Sequence, residues 1–380
     1  MRYPFKKIGI LGGGQLAKMF IQKAKKMGFY VCVLDEDPEC PASTLADFHL
    51  TKSFKDYYAI KEFAKYCDIL TYDIEHVNVL ALKELFAEGK PIYPSPQILE
   101  IVQNKFLQKQ KFAELGLPVP LFKEVKSKED LCSFGFPVVQ KTKTGGYDGR
   151  GVLVLKTKED IENAFSGDTF IEEWIPIKKE LAVMIARNTK GEIALHPIVE
   201  MKFDPTANIC DMVIAPAEIE DKIKKEIREI AISLVEKLDL IGILGIEFFL
   251  SEDNKVFINE VAPRPHNSGH YSIEACVTCQ FEQHLRAITG LPLGDTTLLS
   301  PAVMINLLGA PNAYGIPVVK GLEEVLKIPG VSFHFYGKKR VKPYRKMGHI
   351  TIIDKDISSA IKKAEQVKKI IRIEGIGDEE

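Results

Sequence analysis

The chain reads as an α/β unit followed by α+β regions, with a parallel sheet first and antiparallel strands after it. Three observations predict this. Strand and helix patterns alternate through the first hundred residues, which implies parallel strands joined by right-handed crossovers. From Val138 to Lys156, two strand-like runs flank a glycine-rich turn, the pattern of an antiparallel pair. A second pair follows, ILGIEFFL ending at Leu250 and KVFINEVA ending at Ala262, with turn-forming residues between them.

In chain order, the run Phe5–Leu11 is the first strand. Apolar Leu16, Met19, Phe20, Ala24 and Met27 recur at the spacing of one buried face, so Gln15–Met27 is a helix, stopped at Gly28. Phe29–Asp35 and Cys67–Asp73 are the next strands. Ser95-Pro96 opens a helix, serine as cap and proline in the first turn, expected to continue to Gly116. Ser127–Asp130 and Thr157–Asp160 have the form of capping boxes. Glu180–Val199 is a hairpin turning at Asn188–Gly191, and Ala217–Leu238 is a long amphipathic helix. A smaller mixed region follows Pro301 and ends in an acidic tail.

With 380 residues the chain can hold two or three domains. Its net charge of −1 supplies no global field for nucleic acid or anionic membrane. No apolar run is long enough to span a bilayer. The first residues run directly from a short apolar stretch into a glycine loop, which reads as a strand and not a signal peptide. Seven scattered cysteines suggest a reducing, cytoplasmic setting. Cys276 and Cys279 form a lone CxxC with no second pair to complete a zinc site, so both read as buried thiols.

The most informative constellation is the third strand pair. Centring that hairpin between Asp253 and Asn254 places Glu247 opposite Glu260. Like charges facing each other on a sheet are destabilising. The arrangement makes sense if a divalent cation lies between them, with substrate phosphates completing its shell. The second glycine loop, Thr144–Gly151, has four glycines in eight residues and does not match a Walker loop. It is expected to close over phosphates, with Lys141 on the preceding strand as a point charge. The first glycine loop, Gly12–Ala17, fits a GxGxxA pattern with Asp35 about 20 residues on. That raises an NAD-dependent oxidoreductase as a rival, but no hydride-transfer site follows. Six cationic side chains between Lys338 and Lys346 point to a phosphate-bearing substrate, a solvated basic face being the plain alternative.

Taken in order, GGGQL, TYDIEHV, KTKTGGYDGRG, the Glu172-Glu173 segment with Glu180, Glu247, NEVAPRPHNSGHY, YGK and RKMGH resemble the ATP-grasp family over nearly the whole chain. The resemblance implies a Rossmann-like N-terminal domain (1–100), a lid subdomain with the glycine-rich flap (101–176), an antiparallel core with the metal site (177–300) and a C-terminal substrate-phosphate region (301–380). It implies an ATP-dependent carbon–nitrogen ligase of purine biosynthesis. Such members use ATP, magnesium (manganese as a substitute) and bicarbonate to carboxylate the exocyclic amine of aminoimidazole ribonucleotide. The product is 5-carboxyamino-1-(5-phospho-D-ribosyl)imidazole, made through carboxyphosphate with release of ADP and phosphate.

By position, the resemblance assigns ATP to Lys105, Lys141, the flap residues Gly146, Tyr147, Asp148, Gly149, Arg150 and Gly151, the adenine-reading segment Glu172, Glu173, Trp174 and Ile175, and also Glu180, Asn259 and Glu260. Metal falls to Glu247 and Glu260. The ribonucleotide falls to Gln15, Glu75, Tyr147, Asp148, Arg264, Lys338 and Arg345. His266, Arg264, Asp148 and Lys338 take the catalytic roles. His266 and Arg264 are expected to project beyond the metal pair, the plain alternative for His266 being packing on His270 and a helix cap. A homodimer is implied. The sequence departs from the family pattern at Met201 and Phe203, and at Lys342 and Tyr344. Other readings are another ATP-grasp ligase or transformylase acting on a purine-pathway ribonucleotide, or a nucleotide-binding protein without catalysis.

Overall fold

The computed structural model describes residues 5–145, 151–204 and 209–377. Strand Ile8–Leu11 lies between Val31–Leu34 and Ile69–Tyr72, with Phe48–Leu50 outside Val31–Leu34, and every pairing is parallel. Ile8–Leu11, Val31–Leu34 and Ile69–Tyr72 are buried at every residue, as expected for a sheet covered on both faces. Helix Gln15–Lys26 covers one face through Leu16, Met19, Phe20 and Ala24. Met27 is its C-cap, and Gly28 follows at φ +79°, where a side chain is disfavoured.

A small four-stranded antiparallel sheet follows, in the order Phe122–Val125, Thr169–Glu173, Val138–Thr142, Val152–Leu155. Both capping boxes form, each opening a short 3-10 helix.

Among the described residues the largest sheet has nine strands. Val256–Ala262 and Gly242–Ser251 begin it, then Ile177–Arg187, Val199–Phe203 and Cys210–Ala215. Ala302–Leu308, Lys346–Ile353 and Val331–Phe335 continue the same sheet. One face packs on helix Asp221–Lys237 through Leu181, Val183, Ile246 and Phe248. The other face is covered in part by helix Gln280–Thr289 and by Tyr271 and Ala275, and what remains builds a site.

Two helix boundaries differ from expectation. The helix opened by Ser95-Pro96 ends at Gln103, and a separate helix, Lys105–Glu114, starts after Asn104. Asn104 is extended, and its side chain accepts from the N–H groups of Phe106 and Leu107 at 3.0 and 3.1 Å, an N-cap in mid-pattern. Lys105 is thereby placed at a helix start. The long amphipathic helix begins at Asp221 and not Ala217: Glu220 is its extended N-cap, and the Ala217 N–H bonds the Ile198 carbonyl at 2.8 Å.

His196, His270, His284 and His349 are buried, and burial holds each below the ordinary histidine range. His284, pushed down to about 3, shares a hydrogen bond of 2.9 Å with Thr71 Oγ1. A depressed histidine contributes stability that is present above about pH 6.5 and is lost as pH falls toward its folded value. Asp73, Glu180 and Glu247 are raised and titrate in the opposite sense. Comparison with a variant therefore isolates the histidine. The stability gap between the parent and His284→Asn should narrow by up to about 1.4 kcal/mol per pH unit below pH 6.5. Urea midpoints at pH 7.5, 6 and 5 test this, and a gap independent of pH rejects it.

Candidate active site

Glu247 pairs with Glu260, as the hairpin predicts, but by a different route. Phe248, Phe249 and Leu250 pair with Ile258, Phe257 and Val256, which centres the turn on Asp253. A β-bulge between Glu247 and Phe248 then accommodates Asn259 as an extra residue and restores the pairing of the two glutamates. Bulges re-aim side chains beside sites, and here Asn259 and Glu260 both line the same cavity as Glu247.

Register explains the rest of that cavity's floor. Glu180 lies across from Phe249 on one side and Met201 on the other, two residues along from the Glu247 row. With period-two alternation these side chains share one face. Val139, Val152 and Val154 of the small sheet also line the cavity, whose volume is about 310 Å³. It is apolar at Met201, Phe203, Phe249, Ile175 and Ile177, and charged at Lys105, Lys141, Glu247 and Glu260.

The charged end is tightly linked. Lys105 Nζ lies 3.1 Å from Glu260, and Lys141 Nζ donates to Asn259 Oδ1 at 3.3 Å. Asn259 Nδ2 is 3.5 Å from Glu247, and His266 Nε2 is 3.5 Å from the other Glu247 oxygen. Burial, with Glu260 and Glu180 nearby, pushes Glu247 up to about 8. Burial also acts on Glu260, but Lys105 and Lys141 outweigh it and hold that carboxyl below its ordinary value. Two carboxylates and an amide oxygen form an all-oxygen donor set, suited to a hard cation that keeps phosphate and water ligands. Among the described residues no group of three or more His, Cys, Asp or Glu gathers as a self-sufficient metal site.

Lys109, absent from the sequence expectations and from the cavity lining, completes a buried triad with Glu172 and Lys141. Glu172 is 2.7 Å from Lys141 and 3.0 Å from Lys109, and Lys109 also donates to the Ile258 carbonyl at 3.0 Å. Burial would raise Glu172, but the two cations win and hold it at about 2. Lys109, buried and sharing one carboxylate with a second lysine, falls to about 8. The Glu172 carboxylate thus serves the lysines. Glu173 is tied to Leu121, its carboxylate accepting from the Leu121 N–H at 2.8 Å.

Lys105, Lys141, Glu172, Glu173, Trp174, Ile175, Glu180, Asn259, Glu260, Glu247 and His266 all line the one cavity. Gly151, Gln15, Glu75, Arg264, Lys338 and Arg345 do not. Gly146, Tyr147, Asp148, Gly149 and Arg150 lie outside the described residues, and with them most of the flap. Arg264 and His266 do not project together: Arg264 forms an ion pair with Glu75 at 2.8 Å, with half-buried Asp73 adding to the field that keeps it charged. His266 also accepts from the Ser268 N–H, capping the turn Asn267–Gly269 through Nδ1 and leaving Nε2 toward Glu247. A place in the cavity lining and a helix cap are both present in one side chain.

The basic cluster divides. Lys338 Nζ donates to the Lys346 carbonyl at 2.7 Å, Arg345 donates to the Arg340 carbonyl at 2.7 Å, and Lys339 pairs with Glu39. Lys346 instead lines the cavity. The loop leans on the glycine-loop end of the parallel sheet. There Lys18, on the helix opened by Gln15, donates to the carbonyls of Phe335 and Tyr336 at 3.1 and 3.0 Å.

Comparison with known proteins agrees with this layout. Residues 5–103 match a ribonucleotide synthetase preATP-grasp domain, 110–281 an ATP-grasp domain, and 302–363 a phosphoribosylaminoimidazole carboxylase C-terminal domain. The crystal structure of N5-carboxyaminoimidazole ribonucleotide synthetase from Thermotoga maritima is 54% identical, with a TM-score of 0.93, over 98% of this chain and 100% of that one. The Aspergillus clavatus synthase, solved with ADP and 5-aminoimidazole ribonucleotide, is 35% identical, with a TM-score of 0.88, over 97% and 99% of the two chains. N5-carboxyaminoimidazole ribonucleotide synthase of Bacillus subtilis is 39% identical over 92% of each chain. Two other curated relatives are longer, and this chain spans 65% and 69% of their lengths. The chain belongs to the N5-carboxyaminoimidazole ribonucleotide synthase family of ATP-grasp proteins.

Proposed function

We propose that this chain is an ATP-dependent carbon–nitrogen ligase that carboxylates the exocyclic amine of 5-aminoimidazole ribonucleotide with bicarbonate, in purine biosynthesis. The observation that carries the reading is the Glu247–Glu260 pair, set with Lys105, Lys141 and His266 at one end of a cavity that is apolar at Met201, Phe203, Phe249, Ile175 and Ile177. That cavity accepts a base at its apolar end and phosphates at the other.

Bicarbonate is a poor electrophile. Phosphoryl transfer to it needs positioning and charge neutralisation more than covalent help from the protein. Glu247, Glu260 and Asn259 would hold magnesium, whose charge offsets that of the ATP phosphates. Lys105 and Lys141 position those phosphates, Lys141 being itself fixed by Glu172. His266 holds a proton acceptor at the cavity, and Arg264 keeps guanidinium donors beyond its Glu75 contact for carboxyphosphate oxygens. Gln15, Glu75, Lys338 and Arg345 are assigned to the ribonucleotide, at the glycine-loop end of the parallel sheet, where α/β folds bind ligands. The domain division at 100, 176 and 300, a cytoplasmic setting and a homodimer complete the reading, and sedimentation velocity tests the last of these.

The function is tested by ATP turnover that requires both bicarbonate and aminoimidazole ribonucleotide. Turnover stimulated equally by glycinamide ribonucleotide would point to another ligase of the pathway. Arg345→Ala should raise the ribonucleotide KM at least tenfold, the equivalent of about 1.4 kcal/mol, while the ATP KM changes less than about twofold. Weakened ATP with an unchanged ribonucleotide KM would reverse the assignment of the two phosphate sites.

A further inference from the structure

Gln280 opens helix Gln280–Thr289 and is fully buried. It is no part of the cavity lining. Its side chain nevertheless holds both backbone groups of one site residue. Oε1 accepts from the His266 N–H at 2.8 Å, and Nε2 donates to the His266 carbonyl at 2.9 Å. This is the two-bond pattern that a neighbouring strand would supply, provided here by an amide where Pro263 and Pro265 interrupt the ladder. The same Nε2 donates to His270 Nδ1 at 2.9 Å. His270 is buried and kept neutral, so its Nδ1 can accept. The three contacts together fix which end of the amide is which.

The surroundings are shaped to this side chain. A Cβ on Gly269 would lie 2.4 Å from Gln280 Oε1, so the chain passes the amide only as glycine. The Gln280 N–H donates to Ser272 Oγ at 3.0 Å, and that hydroxyl donates to the Gly269 carbonyl at 2.5 Å. The loop from His266 to Ser272 is therefore closed around one buried amide.

We infer that Gln280 is a positioning residue for the reaction: by clamping the His266 backbone it fixes where the imidazole Nε2 stands relative to Glu247. The inference rests on the reading of His266 as the proton-handling group of the site. With the pivot held and Nδ1 engaged by Ser268 Oγ at 2.9 Å, the ring keeps Nε2 at 3.5 Å from Glu247. A slack clamp lets the ring turn away, with ATP still bound and cleaved but the carboxyl group not delivered to the amine.

Two variants test it. Gln280→Glu keeps the acceptor for the His266 N–H and, when ionised, loses both donated bonds. Gln280→Met keeps the length without charge. Each should lower product formation at least tenfold, while ATP cleavage and both KM values stay within about twofold. In Gln280→Glu, coupling should recover toward acidic pH, because the protonated carboxyl donates again; Gln280→Met should show no such recovery. On a His266→Ala background, neither change should reduce coupling further. A folded Gln280→Glu with normal coupling, beside a crippled His266→Ala, would overturn the positioning role alone. A His266→Ala variant that makes product at the parental rate would instead overturn the reading beneath it. If neither Gln280 variant folds, Gln280 serves stability and the inference is rejected.

Discussion

Glu247→Gln is expected to lower ATP turnover by roughly a thousandfold, the scale of losing one preorganised electrostatic group, without weakening the nucleotide-free fold. The two effects have opposite signs for one reason. Glu247 is half-buried opposite Glu260, and loss of solvent with Glu260 and Glu180 close by raises its carboxyl from 4.5 to about 8. A raised carboxylate contributes stability that is present below about pH 4.5 and is lost as pH climbs toward 8. At pH 7 the parent has lost most of it, whereas glutamine stays neutral and keeps it. The variant should therefore match or exceed the parent, by on the order of 1–3 kcal/mol in urea at pH 7. Near pH 4.5 that advantage should vanish. A variant that is inactive and also clearly less stable at pH 7 would mean that Glu247 holds the fold together.

Lys109→Met should do the reverse and cost stability first. Lys109 is buried, contacts Glu172 at 3.0 Å and bonds the Ile258 carbonyl on the hairpin that carries Glu247 and Glu260. Its removal leaves the buried Glu172 carboxylate with Lys141 alone, and breaking a buried pair in this way costs about 3–5 kcal/mol. Lys141 is then drawn into the gap, so the ATP KM should rise as well. Adding Glu172→Gln to Lys109→Met removes the orphaned charge and should recover part of the loss, a coupling read directly from the double-mutant cycle. Strictly additive losses would show that the triad is not acting as a unit.

Much of this was legible in the sequence where periodicity or chemistry is local. The parallel unit follows from three strand runs and one amphipathic helix, and all appear where expected. The glutamate pairing emerged from counting outward from a turn. Yet the turn is centred half a residue earlier, and only the bulge at Asn259 brings the two glutamates opposite each other. Alternation alone cannot reveal an inserted residue, because pairing register is a property of two strands together. The break at Asn104 escaped because helical periodicity persists on both sides of it; the signal was a lone Asn with capping chemistry. Lys109, Asp73 and Gln280 look like surface residues in a string of letters. Only the fold supplies their partners, across 63, 191 and 14 residues of sequence, from Lys109 to Glu172, Asp73 to Arg264 and Gln280 to His266. The six-cation run read as one phosphate site because sequence proximity hides side-chain direction. In the structure Lys346 faces the cavity that holds Glu247 and Glu260 while Arg345 stays out of it.

In the proposed reaction ATP phosphorylates bicarbonate in the cavity that holds Glu247, Glu260 and His266, and the carboxyl group then passes to the ribonucleotide amine. The most direct measurement supplies bicarbonate labelled with oxygen-18, together with ATP and aminoimidazole ribonucleotide, and follows the label into released phosphate. If carboxyphosphate forms, one bicarbonate oxygen leaves with each phosphate, so every phosphate released per product should carry one labelled oxygen. Unlabelled phosphate accompanying labelled product would mean that bicarbonate is not the phosphoryl acceptor, and would contradict the account.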